Sequence, residues 1–150
     1  MSPRVFRRIL HPSDFSQASG PALQVAVQMA KEYRARLLIA HVLPPIPIVP
    51  DIYLATRVHE GLVRDHRAQG QKQLARLVAR ARRAGVRTSG LLLDFGVVHD
   101  QIVRVARRQR VNLIVVGTHG RTGLAKMTLG SVAGRVVVMA PCPVLTVRGR

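Results

Sequence analysis

Tryptophan is absent from this chain of 150 residues, and aromatic residues make up only 3% of it. A protein that reads single-stranded nucleic acid by stacking bases on aromatic platforms is therefore not expected. One cysteine rules out an internal disulfide and with it a secreted disulfide scaffold; a four-cysteine zinc site is ruled out as well. No apolar run approaches the roughly 20 residues of a membrane helix, so no membrane partner is expected. The first residues, Met1-Ser2-Pro3-Arg4-Val5-Phe6-Arg7-Arg8, carry no apolar stretch with a small-residue cleavage site, which sets the expectation of a cytoplasmic protein. Acidic residues are scarce too, at 7 against 24 basic ones.

Hydrophobic residues supply 47% of the chain, enough for a packed core, and the length fits one domain over residues 1–150. The net charge is +17, with arginine providing 21 of the 24 basic residues. Such a field attracts polyanions such as nucleic acid, anionic lipid or nucleotide phosphates. The basic residues are spread along the sequence rather than gathered in a block, which reads as solvated faces.

Short runs rich in Val, Ile and Leu occupy residues 6–10, 37–43, 86–93, 113–116 and 144–147. Several are nearly continuous, the pattern of strands buried on both faces of a parallel sheet. Helical patterns lie between them. The first spans residues 16–34, with Ser16 or Ser19 as cap, Pro21 in the first turn, and Ala22, Leu23, Ala26, Met29, Ala30 and Tyr33 as its apolar stripe. The second spans residues 56–83 with Gly85 as its stop and Leu74, Leu77, Val78 and Ala81 inward. The third, Val98–Arg108, turns Ile102, Val105 and Ala106 inward, and the fourth, Ser131–Met139, turns Val132, Val136 and Met139 inward. This alternation predicts an α/β fold: a single doubly wound, open parallel sheet of about five strands with helices on both faces. Four prolines within residues 44–50 predict a stiff extended connection.

The segment from Val116 to Val132 carries the chemistry. It places Gly117, Gly120, Gly130 and Ser131 in a Gly-x2-Gly-x9-Gly-Ser pattern after a buried strand and before a helix. Glycines let backbone N–H groups approach phosphate oxygens, and a helix start adds unpaired donors and partial positive charge. Ser131 can cap that helix or offer its hydroxyl to a phosphate, and Arg121 and Lys126 add charge. The Gly-Lys-Ser/Thr of a P-loop and the first-strand Gly-x-Gly-x-x-Gly of a dinucleotide site are both absent. Cys142, between Pro141 and Pro143, reads as a structural thiol. His59 and His66 lack the i, i+4 spacing of helical metal ligands, and no metal site or catalytic set is expected. His11 and His41 are expected to end strands and hydrogen-bond locally. Asp14, two residues before Ser16, either braces the helix start or faces a ligand.

On these residues the chain resembles the ATP-binding branch of the universal stress protein family. The motif from Gly117 to Ser131, the loop His11-Pro12-Ser13-Asp14 and the segment Leu38-Ile39-Ala40-His41-Val42 carry the resemblance, which covers nearly the whole chain. It implies a Rossmann-like fold of the adenine-nucleotide-hydrolase kind. Pro12 and Asp14 would line the adenine and ribose end, and Val42 would face the base through its backbone. Gly117 and Gly120 would let the loop wrap ribose and phosphates. Gly130, Ser131 and Val132 would present the helix start to the phosphates, with His119 and Arg121 as further contacts. Where the family often has an acidic or proline-containing step, this chain has Phe95-Gly96-Val97-Val98, so a ribose contact from that loop is not implied.

The resemblance further implies ATP, with Mg2+ or Mn2+ held by the phosphates, in a homodimer paired through the last strand, residues 144–147. The protein would be a nucleotide-dependent regulatory module of the stress response, read by a downstream partner. Because no carboxylate lies in the glycine loop to orient water, slow or absent hydrolysis is expected, and the protein is not read as an enzyme. The alternative is a basic, nucleic-acid-associated stress protein that binds without sequence preference and without ATP. A substrate-adenylating enzyme would carry a glycine-serine loop after the first strand, which His11-Pro12-Ser13-Asp14 is not.

Overall fold

Strand and helix alternate along the computed structural model, which describes residues 5–46, 52–119 and 129–149. The order is β1 (Arg8–Pro12), a short 3-10 turn (Gln17–Ser19), α1 (Gly20–Tyr33), β2 (Arg36–Val42), α2 (Ile52–Arg83), β3 (Thr88–Leu93), α3 (Val98–Arg108), β4 (Leu113–Gly117), α4 (Ser131–Met139) and β5 (Val144–Val147). The strands form one parallel sheet in the order β3-β2-β1-β4-β5. This is the doubly wound architecture expected from the sequence. The chain steps outward from β1 in one direction, then returns past it to β4 and continues in the other. The switch point lies between β1 and β4.

Two apolar layers cover the sheet. Ile9, Leu37, Ile39, Leu113 and Val115 pack against Leu23, Ala26 and Ala30 of α1 and Leu74, Val78 and Ala81 of α2. Leu10, Ala40, Ile114 and Val116 point the other way, against Ile102, Val105 and Ala106 of α3 and Ala133 and Val136 of α4. The two-residue alternation of strand side chains thus splits each apolar run between the layers, which is why the runs are continuous.

Five details depart from the sequence reading, one of them the start of β3 at Thr88 rather than at residue 86. The first strand is two residues further on, at Arg8–Pro12; Phe6 lies outside it and packs its ring on Tyr33 at 5.0 Å. The second helix begins at Ile52, a turn earlier. Ser16 caps the 3-10 turn by accepting from the Ser19 N–H, whereas Ser19, at the start of α1, makes no side-chain cap bond. Met139 is 39% exposed rather than inward; Ala133 and Val136 form the buried stripe of α4.

Helices α1, α2 and α3 end alike. A residue in the left-handed conformation, Arg34, Gly85 or Arg110, reverses the chain. The next amide then bonds back to the helix, from Ala35 to Ala30, Val86 to Ala81 and Val111 to Ala106. This is the Schellman closure, and the residue that follows each turn is buried against the core. Only α2 uses glycine, the residue without Cβ strain at positive φ. Arg34→Gly and Arg110→Gly are each expected to stabilise the fold by about 0.5–1 kcal/mol, read as a rise in the urea midpoint at unchanged slope.

Candidate functional site

The switch point opens because β1 and β4 stop pairing. Their register covers Ile9 with Leu113 and Leu10 with Ile114, although β1 runs on to Pro12 and β4 to Gly117. Ser13 donates its N–H to Ala40 of β2. By the alternation of a strand, Leu10 and Pro12 therefore face β4. The next rung would run from the N–H of residue 12 to the carbonyl of Val115, and proline has no N–H to give. The fully buried His11 side chain replaces it, donating from Nδ1 to that carbonyl at 2.9 Å. The rung is thus transferred to a side chain and the strands are free to part.

Each side of the opening is held by hydrogen bonds. On the β1 side, Asp14 Oδ1 accepts from the Ser16 N–H at 2.9 Å and the Ser16 hydroxyl at 2.6 Å. Ser13 Oγ accepts from the Phe15 N–H at 3.1 Å, and Phe15 adopts a positive φ of 63°. Its ring stacks on His41 at 4.0 Å, while His41 donates from Nδ1 to the Ser13 carbonyl at 2.7 Å. On the β4 side, Thr118 donates its N–H to Val147 of β5 and accepts from the Gly130 N–H at 2.7 Å. That bond pins the start of α4 at the carboxyl end of β4. A Cβ on Gly130 would lie 2.8 Å from the same Thr118 oxygen, so glycine is required there by close backbone approach. The bond between Thr118 Oγ1 and His119 Nδ1, at 2.9 Å, shapes the strand's exit.

The result is a cavity of about 350 Å3 beyond the carboxyl ends of β1, β2 and β4. Pro12, Asp14, Val42, Gly117, His119, Gly130, Ser131 and Val132 all line it. The two remaining candidates, Gly120 and Arg121, lie outside the described residues. The cavity is chemically polarised. Ala40, Val42, Pro44 and Pro45 of the β2 side and Val98 and Ile102 of α3 make an apolar end. Thr118, Ser131 and the first turn of α4 make a polar end, where the N–H groups of Ser131, Val132 and Ala133 have no acceptor within the helix. Asp14 contributes a carboxylate from the loop after β1, the strand that lies between β2 and β4. Among the described residues no cluster of three or more His, Cys, Asp or Glu could hold a metal.

Several sequence expectations need correction here. Ser131 is the first helical residue rather than the cap; the capping position is Gly130, and no side chain among the described residues caps α4. Asp14 does brace the helix start, and it lines the cavity as well. His11 and His41 bond across to neighbouring segments, 104 and 28 residues away, rather than locally. Val98, Ile102, Pro44, Pro45 and Thr118 are lining residues that the sequence did not announce. Val98 and Ile102 read simply as helix core, while Thr118 sat inside the glycine motif as an unassigned position. Burial raises the Cys142 thiol above its usual range, in keeping with a structural role.

Comparison with known proteins gives the lineage. Residues 6–148 match the Universal stress protein family. The chain belongs to that family. It is 34% identical over 145 residues to a universal stress protein of Methanocaldococcus jannaschii, covering 96% of this chain and 83% of that one. It is 32% identical to the universal stress protein YxiE of Bacillus subtilis, covering 96% and 100%. Among solved structures, a universal stress family protein from Burkholderia pseudomallei superposes with a TM-score of 0.76 at 31% identity, over 97% of this chain and 98% of that one. A universal stress protein in complex with cAMP superposes at 0.71 with 25% identity, over 95% and 97%. An AMP-bound family member from Arabidopsis thaliana superposes at 0.68 with 21% identity, over 96% and 92%. Among the described residues no helix is long and apolar enough to cross a membrane.

His11 makes stability depend on pH. Burial lowers its pKa to about 4, against smaller upward pulls from the Val115 bond and the Asp14 carboxylate. The folded state binds fewer protons than the unfolded state between pH 4 and 6.5, so the contribution is complete above about pH 6.5 and is lost as pH falls through that window. The lowering corresponds to about 3 kcal/mol. Urea unfolding of the native chain at pH 7 and pH 4.5 should show this loss, and His11→Leu should lack that component.

Proposed function

We propose that the cavity binds an adenine nucleotide, ATP in the first instance, and that the protein is a nucleotide-dependent regulatory module rather than an enzyme. The observation that carries this reading is the polarity of the cavity. An apolar end bounded by Val42, Val98 and Ile102 suits a purine, and an opposite end made of helix-start amides and the Ser131 and Thr118 hydroxyls suits phosphates. In this reading Asp14, which lines the same cavity, accepts ribose hydroxyls. The nucleotides carried by the cAMP-bound and AMP-bound relatives support the same class of ligand.

A divalent cation, Mg2+ or Mn2+, fits as a companion of the phosphates. The donor set at the polar end is hydroxyls and amides, which bind phosphate oxygens and leave the cation's charge to be met by the nucleotide itself. When bound, the cation would neutralise phosphate charge. Ser131 and Thr118 would orient the phosphate tail, and Asp14, already holding Ser16, is not free to swing as a base. Hydrolysis is therefore expected to be slow or absent.

The active form is proposed to be a homodimer through β5. That strand lies at one edge of the sheet. Leu145 on it is 37% exposed, and Val137, Val138 and Met139 of α4 beside it are exposed as well. An apolar edge of this kind is a ready template for pairing with a second chain. In sedimentation velocity, Leu145→Glu is expected to convert dimer to monomer.

Titration with a fluorescent ATP analogue tests the site. Saturable binding is expected, with Ser131→Ala weakening it about 3- to 10-fold. Asp14→Asn keeps the acceptor for Ser16 and so separates ligand contact from helix bracing; it should weaken binding while leaving the unfolding midpoint nearly unchanged. No saturation at millimolar analogue would end the proposal. Gly130→Val is not a clean probe of phosphate contact, since its side chain meets the Thr118 backbone before any ligand.

A further inference from the structure

The arginines that look scattered in sequence are gathered in space. In a parallel sheet with helical crossovers, every strand start and every helix end lies at the same end of the molecule, opposite the cavity. Arg7 and Arg8 open β1, Arg36 opens β2 and Arg87 precedes β3. These strand starts are adjacent: the Arg36 N–H bonds to the Arg7 carbonyl, and the Leu37 N–H bonds to the Arg87 carbonyl. The helix ends add Lys31 and Arg34 from α1, three arginines from the last turn of α2 (Arg80, Arg82, Arg83), and Arg107, Arg108 and Arg110 from α3. All twelve side chains are exposed. Half of the 24 basic residues of the chain thus share one end face.

Acidic residues avoid this face. Among the described residues only Glu32, in the last turn of α1, lies there. Asp14, Asp94 and Asp100 are at the cavity end, and Glu60 and Asp65 lie in the first half of α2. Helix ends favour basic residues through the macrodipole, which accounts for the α1, α2 and α3 groups. It does not account for the four strand-start arginines, nor for the lack of carboxylates among them. The face also has relief. A depression of about 280 Å3 between the end of α1 and the α2–β3 turn is bordered by Lys31, Arg34 and Arg87. The Schellman closures take up the carbonyls of Ala30, Lys31, Ala81 and Arg82 as hydrogen-bond acceptors beside the depression.

We propose that this end face binds the phosphate backbone of duplex nucleic acid, without sequence preference and independently of the cavity. Eleven of the twelve cations are arginine, whose planar fork grips phosphate in two places. The row from Arg87 through Arg36 to Arg7 crosses three adjacent strands, about 10 Å, matching an extended array of charges rather than one anion. The face is built of strand starts and helix ends and presents no helix side to a groove, so phosphate contacts dominate. An anionic bilayer is the less suited partner: Val5 is the exposed large apolar side chain among the strand starts, and the face carries no amphipathic helix to insert.

Fluorescence anisotropy with a 20-base-pair DNA duplex from 50 to 200 mM salt tests this. Micromolar binding at 50 mM is expected, with a log–log salt slope near −4 or steeper. The triple variant Arg36→Gln, Arg83→Gln, Arg87→Gln removes side chains that make no hydrogen bond or ion pair among the described residues, and circular dichroism melting should leave its fold unchanged. It should bind at least 10-fold more weakly and flatten the slope by about 2 to 3, near 0.9 for each phosphate no longer neutralised. The control Arg57→Gln, Arg64→Gln, Arg148→Gln removes the same charge away from this face and should change the slope by less than about 1. Fluorescent ATP analogue binding should be the same in both triples, so failure here and failure of the nucleotide reading are separable. Equal weakening by the two triples would overturn the proposal in favour of net charge alone. So would the absence of binding at 50 mM salt, or tighter binding to vesicles of 70% phosphatidylcholine and 30% phosphatidylserine at equal phosphate concentration.

Discussion

Every functional feature of this molecule follows from strands that all run the same way. Parallel pairing puts every strand's carboxyl end, and every helix start, at one pole; it puts every strand's amino end and every helix end at the other. Helix-start amides and turn hydroxyls then meet at the first pole and basic side chains at the second. An antiparallel sheet of the same composition would mix the two and blunt both. The polarity is enforced by burial on both faces: Ile9 and Leu10, neighbours in sequence, are each fully buried in opposite layers, so neither face can be given up to solvent.

Within that frame, Pro12 and Gly130 define the opening at the first pole by what they lack. Proline has no N–H to extend the β1–β4 ladder, and glycine has no Cβ to hold α4 away from β4. One parts the strands and the other brings a helix start up to the gap. The cost falls on His11. Its Nδ1 donates to the Val115 carbonyl, which leaves Nε2 buried without a partner among the described residues. A buried unsatisfied acceptor costs about 1–3 kcal/mol. The same enclosure that keeps the ring neutral ties the integrity of the opening to pH.

How much of this could be read from sequence depended on the range of the cause. The second strand and the stop at Gly85 follow from local chemistry: the run read at residues 37–43 is a strand at Arg36–Val42, and Gly85 takes the left-handed conformation. The glycine motif announced Gly117, Gly130, Ser131 and Val132, because a strand–turn–helix leaves little choice about which end faces a ligand. Boundaries set by tertiary contact are not legible in the same way: Phe6 reads as strand but packs outside it on Tyr33, and Met139 fits the helical period but faces outward. Val98 and Ile102 carry no signal at all, since lining a cavity and filling a core call for the same side chains. Gly117 is a different case: among the described residues a Cβ there would meet only ordinary contacts, from 3.5 Å outward.

The arginine distribution shows most clearly why linear reading runs out. Arg7 and Arg110 are far apart in sequence, yet Asn112 accepts the N–H groups of both Arg7 and Arg8, and the Arg8 guanidinium donates to the Gln109 carbonyl. No window along the chain contains that cluster; the crossovers assemble it. Uniform spacing in sequence is what one-pole clustering looks like in an alternating fold, because each βα unit visits that pole once and leaves its charges there. Scattered basic residues therefore argue for solvated faces only when the fold is unknown. Once the strands are known to be parallel, the same scatter, timed to helix ends and strand starts, is the signature of a single charged surface.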